Sequence, residues 1–331
     1  MNKLLTIVVP VYKVEPYINK CLDSCILADE KLMSQLEVII VNDGTPDNSA
    51  EMSREYVNRY PQTFRQIDKE NGGHGSAWNV GLKEATGKYL RFLDSDDWLT
   101  NLDKLMSVLQ DTQTDVVLTS LNNYHEDTQK NDLWQISECH LNEICSIEQF
   151  SFDDFYGKTN VMNFLFATYK TELLQPLHPL FMEGVMYDDS ILYALPFIYA
   201  KSYICCDFVL YNYLSGRPGQ TMNANIKKKN ISSLLKTYQY EMEYISQHIE
   251  GLGVERLNSI YRIMASDSSY LLNMLTYLPW QEFKGYIDRF KPHFHLEQKE
   301  WYRGKKDKRF LKYPLLLFYL LERVRQELNK E

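Results

Sequence analysis

The sequence lacks an apolar run long enough to cross a membrane. Its 331 residues are 44% hydrophobic and 24% charged, as in an ordinary globular protein. It also lacks an excess of basic residues, and the formal net charge of −8 argues against general binding of nucleic acid. Pro10, Lys13 and Glu15 closely follow the apolar N-terminal stretch, which favours a first strand over a signal peptide.

Several familiar sequence signatures are missing as well. The six cysteines do not have the spacing of a metal site, so we expect reduced, buried thiols in a cytoplasmic protein. The glycine-rich stretch 70–79 lacks the GxGxxG spacing of a dinucleotide-binding loop, and no Gly-Lys-Ser/Thr of a P-loop follows it. Internal repeats and low-complexity tracts are not found. We therefore expect a cytoplasmic globular protein without these common nucleotide-binding motifs.

Strands and helices alternate through the first 120 residues. Hydrophobic patterning predicts strands at 4–12, 36–42, 64–68, 89–93 and 115–120, with helices between them. This order predicts an α/β fold with a mostly parallel sheet flanked by helices. Irregular residues 121–160 are expected to add antiparallel strands at the sheet edge, and helical spacing dominates from residue 225. The expected domains are 1–222 and a C-terminal helical region, 223–331.

Three carboxylates follow the strand at 89–93 directly, namely Asp94, Asp96 and Asp97. Carboxylates this close repel one another unless a cation lies among them, and hard oxygen ligands suit Mg²⁺ or Mn²⁺. Ligands of open α/β sheets bind at the carboxyl ends of the strands. We therefore predict that Asp94 and Asp96 form a metal site that also holds a charged substrate. The alternative is that Asp96 and Asp97 cap the helix that begins near residue 101.

Three later features carry further candidates. The loop with Gly72 and Gly73 exposes backbone amides at a helix N-terminus, which suits phosphate. Asp188 and Asp189 precede a helix predicted at 189–199, where they could also serve as helix caps. Arg217 follows a strand and suits a diphosphate, although a solvated surface arginine is the commoner case.

The C-terminal segment 299–321 is basic and then apolar. Residues 299–312 contain seven Lys or Arg and two acids, and an apolar run at 313–321 follows. Such a segment can lie on an anionic membrane surface. The alternative is a terminal helix that packs on the body of the protein or on a partner chain.

Four segments occur in a characteristic order, and together they resemble the inverting family 2 glycosyltransferases with the GT-A fold. The matching segments are Val8 to Tyr12 with Glu15, Val41 to Gly44 with Asp47 and Ser49, Glu70 to Gly73 with Ala77, Asn79 and Gly81, and Phe92 to Asp97. The resemblance covers residues 4–120 and, less fully, 180–222.

The resemblance implies a nucleotide-diphosphate sugar donor, with UDP expected from family habit, and Mn²⁺ or Mg²⁺ as cofactor. Asp96, with Asp94, would bind the metal, and Asp189 matches the family's general base. The donor-binding residues implied in this way are Pro10, Tyr12, Glu15, Asp43, Gly72, Gly73, His74, Asn79, Asp94, Ser95 and Arg217.

The sequence departs from the family pattern at two places. Trp78 occupies a position where the family commonly has arginine, which puts one donor contact in doubt, and Arg217 and His74 are the candidates to substitute for it. Asp188 and Asp189 replace the common Glu-Asp pair and leave two candidates for the base. Asp189 is preferred because it aligns with the family's aspartate, and Asp188 would then shape the pKa of Asp189 through like-charge proximity.

The expected reaction is transfer of a sugar, with inversion, to a hydroxyl of a glycan, lipid-linked or protein-linked acceptor in cell-surface polysaccharide biosynthesis. The expected location is the cytoplasm, with peripheral membrane contact through 299–321 and homo-oligomer formation left open. Two other functions compete with this one. A metal-dependent phosphatase or phosphotransferase could use Asp94 and Asp96, and a non-catalytic subunit could retain only the nucleotide-sugar pocket.

Overall fold

The computed structural model describes residues 3–136, 141–147, 164–185, 189, 191–217, 230–254, 256–257, 260, 271 and 274–288. The predictions for Asp188 and for the segment 299–321 lie outside these residues. The chain divides into two compact units, Met1–Gln220 and Thr221–Glu331.

Ten strands of the first unit form one sheet. They are β1 Leu5–Val11, β2 Leu36–Asn42, β3 Phe64–Asp68, β4 Tyr89–Phe92, β5 Trp98–Leu99, β6 Val116–His125, β7 Lys130–Trp134, β8 Ile144–Ser146, β9 Ala167–Lys170 and β10 Ser202–Ser215. Their order across the sheet is β3-β2-β1-β4-β9-β6-β10-β5, with β7 paired to β6 and β8 paired to β10. β1 and β2 are buried along their whole length, as expected for parallel strands with both faces covered.

The sheet has a parallel half and a mixed half. β3, β2, β1 and β4 are all parallel, as the alternation of strands and helices predicts. β9 then lies antiparallel between β4 and β6, while β10 runs parallel to β6. β5, β7 and β8 are antiparallel additions. The mixed half follows from late segments of the chain that return into the middle of the sheet, which local patterning does not specify.

The helices of the first unit connect these strands. They are α1 Ile18–Asp23, α2 Glu30–Gln35, α3 Ser49–Arg59, α4 His74–Glu84, α5 Leu102–Asp111, α6 Thr171–Leu174 and α7 Ile191–Tyr199, with short 3₁₀ turns at Phe164–Phe166 and Gln175–Leu177. Two short helices connect β1 to β2, because α1 already ends at Asp23. A second helix then starts where the Asp29 carboxylate accepts a hydrogen bond from the Leu32 amide at 2.9 Å.

A glycine sets how closely α4 approaches β1. A Cβ added at Gly81 would lie 2.1 Å from Cγ1 of Val8, so the contact between helix and strand requires glycine here. The close contact fixes α4 over the sheet. Gly73, with φ +88°, turns the chain into the first turn of the helix at His74. Residues 72–74 are thereby placed at the carboxyl edge of the parallel strands.

The second unit is helical where it is described. α8 spans Ile231–His248, and a further helix covers residues 280–288. Buried apolar side chains in this unit include Leu235, Ile245 and Phe283. Among the described residues of the whole chain, none of the helices combines the length and the hydropathy that a membrane crossing needs.

Candidate active site

Residues Asp94 to Asp97 form a tight acidic turn just beyond the end of β4. The amide of Asp97 donates to the carbonyl of Asp94 at 3.0 Å, which closes the turn. β4 lies next to β1 in parallel, so this turn stands beside the end of β1 at the carboxyl edge of the sheet. The three carboxylates of the turn have different partners.

Asp94 and Asp96 are each matched with one basic side chain. Asp94 Oδ1 lies 2.9 Å from Nε2 of His74, at the first turn of α4. Asp96 Oδ2 lies 2.5 Å from both Nε and Nη2 of Arg217, just past β10. Burial and the neighbouring Asp94 raise the pKa of Asp96, and Arg217 opposes that shift. The structure thus brings four of the predicted site residues together around one acidic turn.

Asp97 is buried and faces β10. Its Oδ2 accepts a hydrogen bond from the Tyr211 hydroxyl at 2.6 Å, and its Oδ1 accepts one from the Leu214 amide at 2.7 Å. Because Asp97 bonds to β10 and Asp96 to Arg217, the alternative in which both residues cap the helix near residue 101 is wrong. α5 begins at Leu102, with Asn101 at its N-cap position.

The carboxylate of Asp43, at the end of β2, binds the glycine loop. It accepts hydrogen bonds from the amides of Gly72 at 2.9 Å and Gly73 at 2.8 Å, and from Nζ of Lys69 at 2.6 Å. This geometry disagrees with the prediction that these two amides hold phosphate. The physical reason is that Asp43 is 3% exposed, and a buried carboxylate needs several donors.

Lys69 was not among the predicted site residues. It directly follows β3, and Asp43 directly follows β2, its parallel neighbour. The opposite charges of two residues placed just after adjacent strands are the sequence signal that could have identified this pair.

The residues predicted around the base and ribose lie at or just after the end of β1. Pro10 is buried within the strand and pairs with Val41. Tyr12 is 43% exposed, so its ring faces solvent at the carboxyl edge. The Glu15 carboxylate accepts from the backbone amide of Asn48 at 3.3 Å and from its Nδ2 at 3.1 Å. Tyr12 is the aromatic member of this group, and its exposed ring is open to a planar ligand.

Asn79 and Ser95 do not fit the predicted donor contacts. Asn79 is 4% exposed and uses both ends of its amide on one residue, since Nδ2 donates to the Phe181 carbonyl at 2.8 Å and Oδ1 accepts from the Phe181 amide at 3.0 Å. Ser95 is 5% exposed within the acidic turn. Burial keeps both side chains from a ligand that binds at the surface of the sheet edge.

Trp78 fills the space under the site. Its ring is fully buried and lies 4.0 Å from the His74 ring, 4.7 Å from Phe92 and 5.0 Å from Phe181, measured between centroids. A side chain in this aromatic cluster packs the core and does not reach a ligand. Of the two residues considered as replacements for the family's arginine, His74 contacts Asp94 and Arg217 contacts Asp96.

The segment that leads to Asp189 docks on α4. Besides the Asn79 contact, Glu183 accepts from the Ser76 hydroxyl at 3.2 Å, and the Gly184 amide donates to the Gly72 carbonyl at 3.3 Å. Asp189 is partly exposed.

Asp189 shares one neighbour with the acidic turn. Burial raises the pKa of Tyr213, and the charges of Asp97, Asp94, Asp96 and Asp189 raise it further. Tyr213 is thus within electrostatic range of all four carboxylates, which associates Asp189 with the surroundings of the acidic turn.

The acidic turn could hold a cation with help from a ligand. Within the part of the chain that the structure describes, His, Cys, Asp and Glu side chains do not form a cluster of three or more that would hold a metal by itself. Mg²⁺ is usually bound through one or two carboxylates together with substrate phosphates and water. Asp94 and Asp96 offer hard oxygen ligands on one turn, and burial together with the neighbouring Asp94 raises the pKa of Asp96 despite Arg217. The pair fits such a shared site.

Residues 6–167 match the profile of the family described as glycosyl transferase family 2. EpsJ of Bacillus subtilis (strain 168), an uncharacterized glycosyltransferase, is 40% identical over 119 residues, which are 35% of this chain and 33% of that protein. The matched stretch therefore spans about a third of this curated relative.

Two solved structures share the architecture. S. aureus TarS 1–349 in complex with UDP-GlcNAc has a TM-score of 0.52 at 17% identity, over 90% of this chain and 88% of that one. The mannosyltransferase PcManGT from Pyrobaculum calidifontis, in complex with GDP-Man and Mn²⁺, has a TM-score of 0.51 at 16% identity, over 100% of this chain and 89% of that one. At such low identities the likeness shows the fold alone, which is GT-A as predicted. By the match over residues 6–167, just under half of the chain, this part of the chain is a glycosyl transferase family 2 domain.

Proposed function

We propose that this chain is an inverting glycosyltransferase that moves a sugar from a UDP-sugar to a hydroxyl of a glycan, lipid-linked or protein-linked acceptor. The observation that carries the proposal is the acidic turn after β4, where Asp94 contacts His74 and Asp96 contacts Arg217. The charge of Asp189 acts on Tyr213 together with the charges of this turn, which supports a role for Asp189 beside it. These residues would supply groups for a leaving diphosphate and a base for a hydroxyl.

The donor would lie over the ends of β1 and β2. The exposed ring of Tyr12 offers a face for the base, and Pro10 and Glu15 lie within three residues of it in the chain. Asp43 lies beside the end of β1, where its buried carboxylate would act indirectly by holding the glycine loop. The donor class is supported by the similar structures, which hold UDP-GlcNAc and GDP-Man. Asn79 and Ser95 are left out of this proposal because both are buried, and Gly72 and Gly73 are left out because their amides donate to Asp43.

Asp96, with Asp94, would hold Mn²⁺ or Mg²⁺. The cation supplies positive charge that stabilises the leaving diphosphate. Arg217 and His74 add positive charge or donors beside the same two carboxylates and would orient the diphosphate there.

Asp189 would act as the general base. Its carboxylate takes the proton of the acceptor hydroxyl as the acceptor oxygen attacks the anomeric carbon. The new bond to carbon forms on the face opposite the breaking bond to the diphosphate oxygen, so the configuration inverts. The diphosphate leaves with the electron pair of the broken bond. Asp188, the second candidate, would influence the charge of Asp189.

We further propose a cytoplasmic enzyme of cell-surface polysaccharide biosynthesis. The basic and then apolar segment 299–321 would make the peripheral membrane contact. The alternative is that this segment contacts a second copy of the chain.

A ligand screen tests the function. Thermal unfolding would be measured with a panel of nucleotide sugars, with and without Mn²⁺, because a ligand that binds only the folded state raises the unfolding temperature by mass action. The expected result is a shift with a UDP-sugar that grows with Mn²⁺, followed by UDP release when acceptor glycans are added. Tight binding without turnover on any acceptor would favour a non-catalytic subunit. Phosphate release from simple phosphomonoesters would favour a phosphatase.

A further inference from the structure

The hydroxyl of Tyr211 is bonded to both ends of the acidic turn. Tyr211 is fully buried in β10, and Asp97 is 1% exposed. The hydroxyl accepts a hydrogen bond from the Asp94 amide at 3.1 Å and donates one to Oδ2 of Asp97 at 2.6 Å. Neither residue has a part in the proposed chemistry.

β10 holds the turn at further points. The Leu214 amide donates to the second oxygen of Asp97 at 2.7 Å. Immediately after the turn, β5 pairs with β10, with Leu99 opposite Tyr211. The same strand then leads to Arg217, which contacts Asp96 at 2.5 Å. β10 therefore holds the turn through the backbone amide of Asp94 and the carboxylate of Asp97, and Arg217 just beyond the strand contacts the carboxylate of Asp96.

The donors and acceptors of this arrangement permit few substitutions. A tyrosine hydroxyl has one proton, which goes to Asp97, and its lone pairs remain for the Asp94 amide. Both oxygens of Asp97 act as acceptors, so an asparagine at this position could satisfy only one of the two donors. Phenylalanine at 211 would keep the ring but would lose both hydrogen bonds of the hydroxyl.

We propose that Tyr211 and Asp97 are positioning residues that fix the Asp94–Asp96 turn in the geometry needed to bind a divalent cation and the donor diphosphate. They act through Asp94 and Asp96 and do not touch the ligands. The inference rests on the proposed function, because it assigns the turn to the cation and the diphosphate. Groups behind a metal ligand are worth about 10–100-fold in metal affinity or activity.

The test compares Tyr211→Phe with Tyr89→Phe. Tyr89 is a matched control because it is also fully buried and lies in β4, at the end remote from the turn. Its hydroxyl lies 3.1 Å from the Thr112 carbonyl and 3.2 Å from the Thr114 carbonyl. Three quantities would be measured on the full chain: Mn²⁺ affinity by electron paramagnetic resonance in the presence of UDP, kcat and donor KM, and hydrogen exchange of the Asp94 amide.

Tyr211→Phe is expected to lower Mn²⁺ affinity and kcat about ten-fold and to speed exchange at Asp94. Tyr89→Phe is expected to lower the unfolding temperature while leaving these three quantities at the wild-type values. Asp97→Asn should act in the same direction as Tyr211→Phe, and it would replace that variant if phenylalanine prevented folding.

Two outcomes separate this inference from the proposed function. If the wild type binds Mn²⁺ and turns over, and both tyrosine variants match it in Mn²⁺ affinity and kcat, the positioning role is overturned while the function stands. If the wild type neither binds Mn²⁺ nor turns over, the proposed function fails. In that case the positioning role is judged only by hydrogen exchange of the Asp94 amide. Equal exchange rates in Tyr211→Phe and wild type would refute the positioning of the turn.

Discussion

Replacing Asn79 with leucine should destabilise the first unit without weakening binding of the donor. Leucine has a similar size but cannot form hydrogen bonds. The change therefore removes the two hydrogen bonds to the carbonyl and the amide of Phe181, at 2.8 and 3.0 Å. Both backbone groups lose this partner at a buried site, since Asn79 is 4% exposed. The sequence-based alternative, a donor contact, predicts the opposite pattern.

The size of the effect follows from these two groups. A buried backbone donor or acceptor without a partner costs about 1–3 kcal/mol. With partial relaxation around Phe181, we expect a total loss of about 2–4 kcal/mol in the free energy of unfolding. A unit of this size loses roughly 2–4 °C in unfolding temperature per kcal/mol, so the expected decrease is roughly 4–16 °C.

Thermal and urea unfolding would measure the stability of the variant. UDP affinity would be measured by calorimetry at a temperature where the variant is folded, and it should stay within about two-fold of wild type, a difference of about 0.4 kcal/mol. Gln175→Leu is the matched control. Its Nε2 donates to the carbonyl of Ala85 at 3.1 Å, at the opposite end of α4. Because this bond is only partly buried, the control should lose less stability than Asn79→Leu.

The refuting result is specific. If the Asn79→Leu variant unfolds at the wild-type temperature but binds UDP ten-fold more weakly, Asn79 contacts the donor as the sequence predicted. The tether to Phe181 would then contribute nothing measurable to the fold.

Three further predictions concern single carboxylates. Asp96→Asn should reduce Mn²⁺-dependent turnover by at least about 100-fold, with the variant still folded, as measured by UDP release against Mn²⁺ concentration. Asp189→Asn should lower kcat by about 10²–10⁴-fold with little change in donor affinity, measured by kinetics and calorimetry. Glu37→Gln should lower stability at pH 7. Burial of Glu37 opposes its charged form, but hydrogen bonds from Thr6, Thr86 and Arg65 outweigh burial and lower the pKa of its carboxyl group. The charged carboxylate therefore contributes its full stabilisation above the ordinary pKa of about 4.3. This contribution is lost as the pH falls through the lowered pKa of the folded state.

Each of these has a contradicting outcome. Full activity of Asp96→Asn would remove the metal assignment, and a collapse of donor affinity in Asp189→Asn would move that residue into the donor site. For Glu37, the difference in unfolding free energy between wild type and Glu37→Gln should shrink between pH 6 and pH 2. A difference that stayed constant over this range would show that the carboxylate charge does not contribute.

Patterning along the chain predicted the parallel half of the sheet. β2 and β3 have the predicted bounds. For β2 the reason is a short, largely apolar run before a turn-rich loop, which allows few other arrangements. The position of β9 between β4 and β6 was not predictable, because pairing between strands far apart in sequence depends on the whole sheet.

The sequence by itself determined that Asp94 and Asp96 end a buried strand and that the chain carries the motifs of its family, because strand type and loop position are local properties. Only the tertiary structure decided what each polar group binds. It placed Asn79 against Phe181, turned the Gly72 and Gly73 amides onto Asp43, and joined Asp97 to Tyr211, a residue 114 positions away in the chain. Hydrogen bonds are short and directional, so a group's partner is fixed only when remote segments meet.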